Sequence, residues 1–410
     1  MSTPVWRNRN FVLFETGRFL SSFGSSLSTI AYPLLVLSLT HSPAKAGLVT
    51  FARSIPQPVF SLVAGAAADR GNRRRQMLVA DGIRFVALAT LGTLVLVGSA
   101  HWWLVAIVGL IEGVGSTTFM AASAGVLPAV VPRHQLPDAI GARRVWGSTV
   151  FLAGPPIGGA LFQVGRAVPF LTDAVSYLFS SASIIRLRTP FQEPREPETT
   201  PFRARLVEGI RYTWARPFLR TCALLYGLGN PLMAGILLAL VVIGRDQGLT
   251  GGQIGLLTAA LGASSLLGSL LSPLARRFLS IRTIMLLEFT SWFGAWLFVA
   301  WPNVYSLLAL IVPFGLTAPI TDSVVDGYRI AMTPDRLLGR VETARTTIAQ
   351  LALPFGPLVA GVLLEHVTAR ITIALFAASA LGLFVWGALS PAIRSAPSLS
   401  ELETAGTLPA

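Results

Sequence analysis

Twelve apolar stretches of about 20 residues or more, separated by short polar loops, leave this chain little choice of solvent. They run over about 11–39, 46–68, 77–99, 102–130, 145–165, 168–187, 218–244, 253–275, 282–301, 304–331, 343–366 and 370–390. A hydrocarbon layer about 30 Å thick is crossed by roughly 20 residues of α-helix. Inside it every backbone N–H and C=O must find a partner within the chain, so these runs read as transmembrane helices of an all-α membrane protein. A mean hydropathy of +0.65 agrees, being far above what a soluble surface tolerates. Arg7 and Arg9 before the first run look like a signal peptide. The run is too long and lacks a small-residue cleavage site, so it reads as a retained span.

The net charge of +13 would suit a nucleic-acid partner, but the position of the charges excludes one. Arginines crowd every second loop: Arg70, Arg73, Arg74 and Arg75, then Arg133, Arg143 and Arg144, then Arg186 to Arg216, Arg276 to Arg282, Arg336 and Arg340, and Arg394. The opposite loops carry about one basic residue each, Lys45, Arg166, Arg245 and Arg370. This positive-inside bias predicts a multi-pass protein of the cell membrane with both termini cytoplasmic and lipids among its partners. The one cysteine, Cys222, excludes an internal disulfide and any cysteine-rich metal site.

The longest loop begins "TPFQEPREPETTPF", a proline-rich polar linker that cannot build a core. It divides the spans six and six: a first bundle over 1–188, a cytoplasmic linker over 189–217, a second bundle over 218–394 and a disordered cytoplasmic tail over 395–410. Within the linker, Phe202, Leu206, Ile210 and Trp214 recur every four residues between arginines, predicting an amphipathic helix on the inner membrane surface. The halves repeat each other. "GPPIGGAL" from Gly154 returns as "GPLVAGVL" from Gly356, and the same offset aligns Arg143 with Arg345. Gly65, Arg73 and Arg74 have their echo in Gly268, Arg276 and Arg277. Two pseudo-symmetric six-helix bundles are transporter architecture, with a midplane binding site.

At these residues the chain resembles the major facilitator superfamily over nearly its full length. Gly65, Asp69, Arg70, Arg73 and Arg74 match its loop motif between spans two and three, with Asn72 where the family has glycine. Asn tolerates positive φ, so a tight turn is expected to survive. Gly154, Pro155, Gly158 and Gly159 match the antiporter motif of span five, which implies export. Longer stretches, "DRGNRRRQMLVADGIR" and "LLGRVETARTTIAQLALPFGPLVAG" among them, are similar to the branch of enterobactin exporters and macrolide efflux proteins. The resemblance implies that Asp69 latches the halves near Gly339 to Glu342, on one side only because the echo has Ser272. It also implies an arginine in span four, where this chain has Gly109; that role must be filled otherwise, or the coupling differs.

The only lysine, Lys45, permits no phosphate loop, and the four histidines and the serines show neither a metalloprotease spacing nor a nucleophile elbow. The chain therefore reads as no enzyme, without cofactor or metal, and as driven by an ion gradient, most simply protons. Arg53 and Glu112 both fall near the midplane, and the resemblance puts Glu112 on a cavity-lining span. Two readings are open: proton or cation coupling at Glu112, or a structural Arg53–Glu112 pair. Glu15 and Arg18, three apart near the inner third of span one, read either as a helix-end pair or as part of the substrate or proton path. Asp81 and Arg84 read as a structural pair on a peripheral span. Asp173, Glu288, Asp322 and Asp326 read as solvated near the span ends, with Asp322 of span ten the one of interest. Pro155, Pro156 and Pro231 interrupt their spans as hinges, or the glycines beside them serve close packing. Trp292, Phe293, Trp296 and Phe298 read as lipid-facing.

The expectation is a monomeric secondary transporter exporting a small amphiphilic or apolar compound by proton antiport with alternating access. An importer or lysophospholipid flippase on the same scaffold is the alternative, ahead of a non-transporting sensor.

Overall fold

A computed structural model describes residues 5–187, 191 and 202–395. Most of the proline-rich linker and the C-terminal tail lie outside the described residues. Among the described residues the regular secondary structure is all helix, with no strand. In chain order the helices are α1 Arg9–Thr40, α2 Pro43–Ser54, α3 Pro56–Arg70, α4 Arg73–Leu96, α5 Trp102–Ala124, α6 Leu127–Val130, α7 Leu136–Val164, α8 Val168–Arg186 and α9 Phe202–Ala215. They continue with α10 Pro217–Asp246, α11 Gly251–Phe278, α12 Ile281–Thr290, α13 Ala295–Ala300, α14 Leu308–Met332, α15 Asp335–Leu351, α16 Phe355–His366, α17 Ala369–Leu389 and α18 Pro391–Arg394.

Among the described residues, eleven stretches are helical, long and apolar enough to cross a membrane. The twelfth apolar run is the stacked pair α2 and α3, of 12 and 15 residues, each too short alone. The break falls at Ile55, ahead of Pro56 and Pro58, which lack the N–H groups to continue the ladder. Exposed apolar side chains such as Val164, Leu270 and Phe278 stand on the outer faces at 71–80% exposure, which suits lipid as the surrounding solvent.

The chain divides into two compact units, residues 1–197 with 244–259 and residues 198–243 with 260–410. The first unit thus takes in a segment that the position of the linker alone assigns to the second. The reason is close backbone packing: Gly159 lies against Gly251, and Gly255 against Pro155 and Pro156. On its other side α7 packs on α1, where a Cβ at Gly154 would overlap Ser26 and one at Gly158 would sit 2.8 Å from the Leu27 Cα. The antiporter-motif glycines therefore let backbones touch.

The same motif corrects the expectation of interrupted spans. α7 runs unbroken through Pro155 and Pro156, and α10 through Pro231. Neighbouring helices hold these prolines, whose missing donors fall inside a packed interface. Real breaks occur elsewhere: at Ser291–Gly294, a 3-10 turn between α12 and α13, and at residues 352–354, where α15 ends and α16 begins.

The linker helix forms as α9, but α15 covers one of its faces. Gly209 approaches the Arg340 carbonyl, Glu208 pairs with Arg340, and the Tyr212 hydroxyl donates to the Met332 carbonyl at 2.6 Å. Trp214, on the apolar stripe of this helix, is 45% exposed.

Gly158→Val forces a side chain into the α1 backbone and is expected to cost about 1–3 kcal/mol. Gly65→Ala enters open space and should leave the thermal midpoint in detergent unchanged; equal midpoints for the two variants would contradict this packing.

Candidate functional site

Five charged side chains converge among the helices of the first unit. Glu112 on α5, Asp81 and Arg84 on α4, and Asp173 on α8 are each at most 3% exposed, and Arg53 closes the cluster from the end of α2. Arg53 Nε donates to Glu112 Oε2 at 2.5 Å, and Arg84 Nη2 lies 3.5 Å from Glu112 Oε1, so one carboxylate is shared by two guanidiniums. Arg84 Nη1 stands 3.6 Å from Asp81 Oδ1, and Arg84 Nη2 donates to Ser25 Oγ at 2.7 Å. Its guanidinium carbon lies 3.9 Å from the Tyr177 ring centroid, and that of Arg53 5.1 Å from the Tyr32 ring centroid. Arg53 Nη1 donates to Thr29 Oγ1 at 3.1 Å, at the accessible end of the cluster. Buried charges in such a setting are retained only when paired and hydrogen-bonded.

Small residues make this convergence possible. A Cβ at Gly113 would overlap the Arg53 carbonyl, and one at Gly109 would lie 3.4 Å from the Arg53 Cβ. At Gly109, where the resemblance implies a span-four arginine, it is Arg53 of α2 that packs against the helix. On the opposite side Gly24 of α1 lets α8 approach so closely that a Cβ would meet Asp173 Oδ1 at 2.7 Å. Ser28 Oγ donates to Asp173 Oδ2 at 2.6 Å across that contact.

Two expectations are corrected here. Asp173 is fully buried, not solvated, because the α1–α8 approach closes over it. Asp81 and Arg84 are not a separate peripheral pair: Arg84 reaches Glu112, joining them to the cluster. Arg53 and Glu112 are brought together as expected. Glu15 and Arg18 also pair, at 2.9 Å, but Glu15 is buried and holds Arg143 of α7 through its other oxygen at 3.0 Å. The signal for this lay in the repeat, since the equivalent Arg345 joins Glu342 and Asp326, with Arg329 completing the ring at 3.0 Å from Glu342.

The second unit holds a separate acidic site. Glu288 lines a small cavity of about 20 Å³ with Tyr226, Asn230, Phe289, Trp292 and Phe314, enough for roughly one water. Asp322 is exposed on α14 and, with Glu288, is an acidic neighbour of the buried Tyr226 hydroxyl. Trp292 and Phe298 are buried at 3% and 1%, so only Phe293 and Trp296 of the expected lipid-facing aromatics are exposed.

In the loop between α3 and α4, Asp69 is exposed and lies 3.6 Å from Arg73. Arg73 donates to the Gly125 carbonyl at the C-terminal end of α5 (3.1 Å), and Arg74 to the Ile185 carbonyl near the end of α8 (2.5 Å). These two arginines staple the loop to helix ends, where cations are favoured, leaving Arg70 and Arg75 exposed. The expected positive-φ turn is absent: Gly71 and Asn72 are extended, and the Asn72 side chain accepts from the Arg75 N–H as the N-cap of α4. Asn replaces glycine here as a cap. Ser272, at the echo of Asp69, is buried and 2.5 Å from Ser323 Oγ.

The sequence profile of the transmembrane secretion effector family matches residues 3–406. The multidrug efflux pump Tap of Mycolicibacterium fortuitum is 28% identical over 399 residues, covering 93% of this chain and 94% of its own. The enterobactin exporter EntS of Salmonella typhi is 25% identical over 325 residues, with 79% and 78% covered. Among solved structures, the nucleoside transporter NupG superposes with a TM-score of 0.73 at 12% identity, covering 95% of this chain and all of that one. A bacterial homologue of the iron transporter ferroportin gives 0.70 at 15%, covering 94% of this chain and 100% of that one. These structural likenesses carry the twelve-span fold.

Arg84→Met strips a guanidinium from two buried carboxylates and is expected to cost about 3–5 kcal/mol. Adding Asp81→Asn should recover part of the loss in thermal unfolding; a double variant no more stable than Arg84→Met would break the link between the two side chains.

Proposed function

We propose that this chain, which belongs to the transmembrane secretion effector family, uses proton antiport to drive its work as a secondary exporter of small amphiphilic compounds, antibiotics or siderophores. The observation that carries the coupling is the charged cluster around Glu112. Ionisable groups inside a membrane-spanning bundle are costly and are kept where an ion or substrate passes. With Lys45 as the only lysine, a phosphate loop is impossible, and an ion gradient is the simplest source of work.

Each ion pair around Glu112 is a two-position device. Protonating a carboxylate of the cluster releases a guanidinium, which then needs another acceptor, and the helices bearing them shift their preferred packing. Arg53 connects α2 to α5, Arg84 connects α4 to α5, and Ser28 connects α1 to α8, so a proton changes contacts among five helices. Alternating access would follow from two packings that differ in protonation. The arginine-rich loops support an orientation with both termini in the cytoplasm of a cell membrane. The protein would act as a monomer, with lipid and the transported molecule as its partners.

Everted vesicles containing the protein should accumulate ethidium when an acid-inside pH gradient is imposed, and Glu112→Gln should lose that gradient-driven accumulation. Undiminished accumulation in Glu112→Gln ends the coupling assignment, and its absence in vesicles of the unaltered protein ends the antiport reading.

A further inference from the structure

The cluster around Glu112 does not balance. It contains three carboxylates, Asp81, Glu112 and Asp173, and two guanidiniums, Arg53 and Arg84. Among the described residues no other arginine, lysine or histidine lies within 4.0 Å of any of the three. A net buried charge is expensive in a low-dielectric interior and is removed most cheaply by binding a proton. Glu112, held between both arginines, and Asp81, with Arg84 at 3.6 Å, each have a cation facing them. Asp173 has none within ion-pair distance; its direct partners are hydroxyls.

Hydroxyls, not cations, are the direct partners of the Asp173 carboxyl. Ser28 Oγ donates to Oδ2 at 2.6 Å. Ser176 Oγ donates to the Asp173 backbone carbonyl at 2.6 Å and faces Oδ1 at 3.4 Å. Neither hydroxyl brings a positive charge, so the excess negative charge of the cluster is left on Asp173. We propose that Asp173 is a neutral carboxylic acid carrying the exchangeable proton of this cluster, while Glu112 remains the anion that holds Arg53 and Arg84. Release of the proton turns Asp173 COOH into COO⁻ plus H⁺ and leaves the cluster one negative charge in excess. Arg84, whose ring contact with Tyr177 sets it beside α8, is the cation able to turn towards it.

The groups facing Asp173 are Ser28 and Tyr32 of α1, Arg84 of α4, Glu112 of α5 and, on its own helix, Ser176 and Tyr177; Arg53 and Asp81 connect to it through Glu112 and Arg84. Asp173 begins about 7.5 Å from the start of α8, and Glu112 about 15 Å from the start of α5, at 1.5 Å per residue. This inference deepens the proton-antiport reading but is measured without any transported compound. Failure in the test below leaves transport in vesicles untouched, and failure of transport leaves the proton measurable.

The experiment is infrared spectroscopy of the purified, lipid-reconstituted protein at neutral pH, reading the carbonyl stretch of neutral carboxylic acids. The difference spectrum between the unaltered protein and Asp173→Asn should contain such a band. Glu112→Gln should lose the same band although Asp173 is still present, because two guanidiniums then face two carboxylates. Ser28→Ala should keep the band and shift its frequency, since a donor to Oδ2 is gone; this variant also serves if Asp173→Asn fails to fold. No acid band in the difference spectrum, a band that survives Glu112→Gln, or a band indifferent to Ser28→Ala would overturn the assignment, the last placing the proton on Asp81.

Discussion

One carboxylate shared between two guanidiniums organises the first unit. Glu112 receives Arg53 from α2 and Arg84 from α4, and a charge group of this kind, once dehydrated, tolerates the loss of no single member. Around it α2 breaks at Ile55, which brings Arg53 against α5, and Gly109 and Gly113 leave that face of α5 bare. The helix break, the glycines and the salt bridges are therefore one arrangement. Lipid supplies no competing hydrogen bonds, so the helices carry both the apolar exterior and the paired interior.

The second recurring device is close backbone contact. Gly154 and Gly158 press α7 on α1, Gly159 meets Gly251, and Gly356 meets the Pro231 carbonyl in the second unit. Apolar side chains gain little from packing against each other when lipid is the alternative, so association relies on contact area and on polar bonds across helices. Proline within these interfaces is compatible with an unbroken helix, as α7 and α10 demonstrate. The motif that marks exporters in sequence is here a packing surface, and its bearing on transport runs through the fit of α7 against its neighbours.

The spans, their number and the internal repeat were legible because hydropathy is a local sum and the repeat is a direct comparison of letters. Glu112 and Arg53 were legible because charge within an apolar run needs a partner, and both lie ten residues into their helices. Asp173 was not, since five residues from the start of α8 is a position that reads as headgroup; only the closure of α1 over α8 buries it. Asp81 and Arg84 were recognised as a pair but not as members of a larger group, because their third partner lies 28 positions away on α5. Arg73 and Arg74 read as loop charges, and their carbonyl partners at helix ends were invisible to any local pattern.

By itself the sequence determined the solvent, the number of crossings, the twofold repeat and the absence of a phosphate loop, all properties of residue type counted along the chain. The tertiary structure decided which prolines break a helix and which are absorbed, which arginines neutralise which acids, and that three carboxylates share two cations. The physical reason is range. Apolar transfer energy adds residue by residue, whereas the cost of a buried charge depends on every group within a few ångströms, and those groups come from helices far apart in sequence.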